Sequence, residues 1–171
     1  MTKLVFEAIS DHALHTPSKI ALRSGARSID YGSLAAFLAQ SLKTLSGAPR
    51  VVGIASSDPL DAALADLALT YCGHVSVHLP PFFSEAQTAH IVKAAAIQSV
   101  IGTIDGTPSS ESLLCPEQCP RLEEPLMPSR PGSRRIIFTS GSSGTPKGVL
   151  IGETQIAAAL AGLKKAITPV P

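Results

Sequence analysis

Phe138-Thr139-Ser140-Gly141-Ser142-Ser143-Gly144-Thr145-Pro146-Lys147-Gly148 is the stretch that decides how this chain is read. Gly141, Gly144 and Gly148 permit sharp turns and a close approach of backbone to a ligand. Successive backbone N–H groups in such a loop form an anion-binding concavity. Thr139, Ser140, Ser142, Ser143 and Thr145 add hydroxyl donors, and Lys147 adds a fixed positive charge. The combination suits a polyphosphate. It is not the common P-loop, G-x-x-x-x-G-K-[ST]. Counted from Gly141, that pattern's second glycine position holds Pro146, and its Ser/Thr position after the lysine holds Gly148. A flexible Gly/Ser linker is disfavoured by the strand-like run that precedes the loop and by Pro146-Lys147 within it.

Around the loop, Arg134 to Phe138 reads as a strand, and Glu153 to Ile167 as an Ala-rich helix beyond the loop. Upstream, residues 107–132 hold Pro108, Pro116, Pro120, Pro125, Pro128 and Pro131. Proline lacks a backbone donor and fixes φ, so no regular element is expected through that spacing. Residues 51–102 alternate apolar strands with helices. Val51 to Ala55, Val75 to Leu79 and Ser99 to Gly102 are the strands; Leu60 to Tyr71 and Ser84 to Ala96 are the helices. Pro59 suits a first helical turn and Gly73 a helix end. Strands apolar on both faces and separated by helices predict an α/β fold with a mostly parallel sheet and crossover helices.

At the amino end, residues 4 to 15 have helical apolar spacing. Ile20-Ala21-Leu22 and Ser28-Ile29-Asp30-Tyr31 read as a hairpin around Gly25. Ser33 reads as the N-cap of the next helix, whose stripe is Leu34, Phe37, Leu38, Leu42 and Leu45. The chain divides into an α/β part (1–106), a Pro-rich irregular connection (107–132) and a strand–loop–helix part (133–171).

Composition narrows the function classes. The 171 residues are 44% hydrophobic but only 4% aromatic, so the core is aliphatic. A formal charge of +1 without basic runs leaves no footprint for nucleic acid. No window is long and apolar enough for a spanning helix, and Glu7, Asp11 and His12 interrupt any secretory core. A cytoplasmic location is the expectation. Cys72, Cys115 and Cys119 are odd in number, which argues against a disulfide framework. Cys115 and Cys119 lack further ligands at zinc spacing and read as reduced thiols, and Cys72 as a small core hydrophobe. The histidines are scattered without metal-ligand spacing, and no metal site is expected. Asp58, Asp61 and Asp66 read as caps or solvent-facing groups of one helix.

The loop from Phe138 to Gly148 resembles the signature of the adenylate-forming (AMP-binding) superfamily, which includes acyl-CoA synthetases, peptide-synthetase adenylation domains and luciferases. That signature reads approximately aromatic-T-S-G-S/T-T-G-x-P-K-G. Ser143 stands where Thr is usual, and the hydroxyl is kept. Ile29 to Leu34 is similar to the family's L-T-Y-x-E-L block, and Leu69 to Pro80 to its L-K-A-G-x-x-x-V-P-L block. Tyr71 and Cys72 replace small residues there, and Gly152-Glu153 replaces a frequent Ser/Thr-His pair after the loop.

The resemblance implies the N-terminal part of such an enzyme's large domain. It also implies ATP and Mg2+, a carboxylic acid substrate, and CoA or a phosphopantetheinyl carrier protein as thiol acceptor. Thr139, Ser140, Ser142, Ser143 and Thr145 would donate to the leaving pyrophosphate, with Gly141 and Gly144 shaping the loop and Lys147 neutralising charge. The family's adenine pocket, magnesium-binding acid, ribose aspartate and late lysine find no match in this sequence. The expectation is therefore a portion of an ATP-dependent carboxylate-activating ligase, incomplete for catalysis alone, with an apolar face for a complementary polypeptide. A stand-alone phosphate-binding module and a non-catalytic remnant are the other readings.

Overall fold

The computed structural model describes residues 2–48, 50–102, 110–111, 116, 119–122, 124–126, 134–139 and 145–167. The elements run α1 (Thr2–His15), β1 (Ile20–Ser24), β2 (Arg27–Asp30), α2 (Tyr31–Thr44), β3 (Val51–Ala55), α3 (Pro59–Tyr71), β4 (Val75–His78), α4 (Glu85–Ala94), β5 (Ser99–Gly102), β6 (Ser110–Glu111), β7 (Arg134–Thr139), β8 (Lys147–Ile151) and α5 (Glu153–Ile167). β1 and β2 form a separate antiparallel hairpin, turned at Gly25 with φ +56°. The main sheet is six-stranded in the order β6-β5-β3-β4-β7-β8. Every neighbouring pair in it is parallel except β7–β8. The expected α/β architecture with a mostly parallel sheet is present.

Several local expectations are corrected. The N-cap of α2 is Asp30, not Ser33; the Asp30 carboxylate accepts the Ser33 backbone N–H at 2.7 Å. Tyr31, expected in the strand, is the first helical residue, because the cap lies three residues before the group it satisfies. The Pro-rich stretch contains a short regular element after all: β6 pairs with β5 at Val100↔Ser110 and Ile101↔Glu111, in the gap between Pro108 and Pro116. The loop does not lead straight into α5, since Lys147–Ile151 form β8 first. The expected caps elsewhere are present. Asp58 caps α3, with Pro59 in its first turn and Gly73 at φ +78° just beyond its end. A reciprocal capping box of Ser84 and Gln87 on α4, not among those expectations, adds to these.

The register sorts side chains onto two faces of the sheet. Val52, Ile54, Ser76, His78 and Arg135 lie on one face, as their pairings require. α1, α2 and α3 cover it with Phe6, Phe37, Leu38, Leu64, Leu69 and Tyr71, all buried. Val77 and Val100 lie on the other face, under Ile91 and Ala95 of α4. The core is therefore aliphatic with few rings, as the composition predicts. Cys72 and Cys119 pack in the first cluster; Cys115 lies outside the described residues.

Two polar groups sit where apolar ones are usual. His74 is fully buried; its Nε2 donates to the Leu45 carbonyl at 2.9 Å, and its Nδ1 accepts from the Arg50 backbone N–H at 3.3 Å. These partners tie the end of α2 to the start of β3. Asp66 neither caps α3 nor faces solvent. It is 9% exposed and points to the sheet. The sequence placed it only near a helix start; the direction of that helix face emerges from packing.

Candidate functional site

The candidate site is the β7–β8 hairpin at the carboxyl end of the parallel strands, where open α/β sheets bind ligands. β7 runs parallel to β4, so the chain leaves the sheet after Thr139 on the same edge as the end of β4. It returns at Lys147, directly opposite Thr139 in the antiparallel ladder. The glycine-rich loop is thus pinned at both ends by strand pairing. Thr139, Thr145 and Lys147 are exposed, and Pro146 is buried against the hairpin. Ser140, Gly141, Ser142, Ser143 and Gly144 lie outside the described residues.

Gly148, at the end of the motif, has a packing role. It faces Phe138 across the ladder. A Cβ there would meet Phe138 Cζ at 2.9 Å and Ile136 Cγ2 at 3.2 Å. The absent side chain lets the Phe138 ring lie across β8 and pack on the cluster of Val77, Ile91 and Val100. The aromatic and the final glycine of the motif act as a pair that anchors the loop's stem.

Below the stem is a polar cluster that the sequence did not signal. The Ser76 hydroxyl donates to Asp66 Oδ1 at 2.7 Å, and Arg135 Nε donates to the same oxygen at 3.1 Å. Arg135 Nη2 pairs closely with Asp66 Oδ2. His78 Nε2 lies 3.7 Å from Oδ1, an electrostatic contact rather than a hydrogen bond. Burial opposes ionisation of Asp66, but His78, Arg135 and Ser76 outweigh it and hold the carboxyl below its ordinary value. The only sequence clue was an Asp in the middle of a mostly apolar helix.

Beside this stem the hairpin is uncovered. Ile137, Val149 and Leu150 are 44%, 54% and 55% exposed, and Leu163 of α5 is 53% exposed. Ile137 and Val149 pair directly and share a face; Leu150 points to the other. Among the described residues no three His, Cys, Asp or Glu converge on a metal position, and no helix is long and apolar enough to cross a membrane.

A strand–glycine-rich loop–strand unit on a mostly parallel sheet defines the class, and comparison with known families names it. The family model for AMP-binding enzyme matches residues 9–170, and the chain belongs to that family. Among curated proteins it is 26% identical to syringomycin synthase SyrB1 of Pseudomonas syringae pv. syringae over 94% of this chain. It spans 28% of that protein's length, so it corresponds to a part of its relatives. Further relatives include peptide synthetases and a long chain acyl-CoA synthetase. Among solved structures it resembles the Klebsiella oxytoca NpsA N-terminal subdomain in complex with 3-hydroxybenzoyl-AMSN. The TM-score is 0.65 at 25% identity, covering 88% of this chain and 41% of that one. VinN in complex with 3-methylaspartate shares the fold, with TM-score 0.73 at 18% identity, covering 96% of this chain and 52% of that one. The fold is that of the N-terminal portion of adenylate-forming enzymes.

Proposed function

We propose that this chain supplies the ATP phosphate-binding hairpin of an adenylate-forming ligase. That ligase would convert a carboxylic acid to its acyl-adenylate and pass the acyl group to CoA or a phosphopantetheinyl carrier protein. The observation that carries the reading is the Thr139↔Lys147 pairing at the carboxyl end of the sheet. It holds a hydroxyl and a cation, both exposed, at the two ends of the glycine-rich loop. These residues fit a polyphosphate: Thr139 and Thr145 can donate, and Lys147 can meet its charge. Ser140, Ser142 and Ser143 would add donors from the loop, with Gly141 and Gly144 shaping it. When bound, ATP supplies the adenylyl group and the pyrophosphate that departs. Fixed donors aimed at that leaving group act by positioning and electrostatic stabilisation. Mg2+ would arrive with the polyphosphate, whose oxygens it takes as ligands in nucleotide sites.

The uncovered pair Ile137 and Val149 on one face of the hairpin, with Leu150 uncovered on the other, supports a complementary polypeptide stretch against the hairpin. A supply of ATP and thiol acceptor makes the cytoplasm the expected compartment. The test is calorimetric titration of the chain with Mg·ATP and with pyrophosphate, beside Lys147→Ala. Saturable binding that the variant weakens supports the reading. Absence of binding by the folded chain removes a phosphate site that works without further polypeptide.

A further inference from the structure

The strand that carries the loop opens on residues that barely distinguish its two faces. β7 begins Arg134-Arg135-Ile136-Ile137, a doubled pattern in which neighbouring residues are alike. Strand register is set by the difference between the two faces, and a one-residue slip exchanges them. In the first four residues such a slip keeps Arg for Arg and Ile for Ile at two places and differs only where Arg135 and Ile136 meet; beyond them it turns Phe138 off its cluster. Nor does a short turn set it, because residues 112–133 separate β7 from β6. β8 moves with β7 through their shared ladder.

The two possible slips are blocked by different things. In the observed register Arg135 is beside Ser76, and Ile136 beside Val77. Advancing β7 so that Arg134 lies beside Ser76 would still serve Asp66. It would turn Arg135 onto the opposite face, beside Val77 and Ile91, where a charge is costly, and turn Phe138 away from them. Withdrawing β7 so that Ile136 lies beside Ser76 puts Ile137 in the place of Ile136 and Arg135 in the exposed place of Arg134, at the cost of turning Phe138 off that cluster. That slip leaves the buried Asp66 carboxylate without its guanidinium. An uncompensated buried charge is strongly unfavourable.

We propose that Asp66 is a positioning residue: through Arg135 and Ser76 it locks the register of β7 on β4, and so sets where the glycine-rich loop leaves the sheet. Withdrawal by one residue would shift the loop's start by about 3.3 Å and turn Thr139 to the other face. Buried ionic groups are best attested in this role of fixing register rather than adding stability. The effect on ligand binding rests on the phosphate-site reading above; the register lock does not.

The test is Asp66→Leu in the 171-residue chain, followed by NMR of the cross-strand contacts between β4 and β7, a thermal melt and a Mg·ATP titration. Leucine suits a helix interior better than aspartate, but Arg135 and Ser76 lose their acceptor, so the fold is expected to survive with a lower melting point. The wild type should show one set of β7 signals, with Ile136 beside Val77. The variant should show a second set, with Ile136 beside Ser76, and Mg·ATP affinity lower by about tenfold or more. A single native set with unchanged affinity overturns the proposal. If the wild type binds no Mg·ATP, the phosphate reading fails, and the NMR contacts alone decide the lock. If Asp66→Leu does not fold, Arg135→Lys decides it, since lysine keeps the charge but loses the two-pronged contact. Faster amide exchange in β7 with unchanged exchange in β3 supports the lock, and unchanged exchange in both overturns it.

Discussion

Thr139 and Lys147 face each other as the last pair of the β7–β8 ladder, so the loop between them begins and ends at the width of one antiparallel pair. The pairing puts the Thr139 and Lys147 side chains on one face of the hairpin. On the phosphate-site reading, a ligand phosphate there would meet a charge-assisted donor and a neutral one together.

Lys147→Ala should therefore weaken Mg·ATP binding by about ten- to a hundredfold, the equivalent of one charge-assisted hydrogen bond. Lys147 is exposed, so the melting point should hardly move. The wild-type affinity should also fall with added salt more steeply than that of the variant. Calorimetry at two ionic strengths checks both statements.

Gly148→Ala should act on the stem rather than on the phosphate. The new methyl would stand 2.9 Å from Phe138 Cζ, inside contact distance. The ring must move off the cluster it packs on, at a cost of about 1–3 kcal/mol, typical of overpacking. A denaturant melt measures this. Gly148→Ala with Phe138→Leu should recover part of the loss, because the smaller side chain makes room.

Asp66 gives the fold an acid-sensitive contribution. Its folded-state carboxyl titrates below its ordinary value. The unfolded chain therefore binds a proton more readily, and the stabilisation is complete above about pH 4, the unfolded carboxylate range. It is lost as pH falls through the folded value. Asp66→Asn should be less stable than wild type near neutrality, by about 1–3 kcal/mol for a buried group losing a charged hydrogen bond. The gap should close below about pH 4. Melts from pH 7 to pH 3 check the sign.

His74→Leu should cost about 1–3 kcal/mol, because the buried Leu45 carbonyl loses its 2.9 Å donor. The loss should appear as faster amide exchange at the end of α2 and the start of β3, the two ends that His74 joins. Exchange in β7 should be unchanged.

Much of the fold is legible in residue order. Asp58-Pro59 and Gly73 are local punctuation whose geometry involves only near neighbours, and each acts as read; the capping box of Ser84 and Gln87 is equally local but not among the expected caps. The α2 cap is harder. Asp30 and Ser33 are both good caps, and the choice depends on which one folds back onto the helix. β8 was missed because Lys147–Ile151 is short, with both faces exposed, so it carries little periodicity. Its apolar residues, Val149, Leu150 and Ile151, were the available signal.

The sequence by itself determined the alternation of strands and helices, the aliphatic core and the chemistry of the loop. Each rests on composition, on spacing or on contacts between residues a few positions apart. Only the tertiary structure decided that Thr139 meets Lys147, that Gly148 makes room for Phe138, and that Asp66 finds Arg135 and Ser76. Asp66 and Arg135 are separated by most of an α/β sheet in the order of the chain, with β4, α4, β5 and β6 between them. An aspartate on the apolar side of a helix does not name its partner. The partner is set by which strand docks beside β4, a long-range choice made when the sheet assembles.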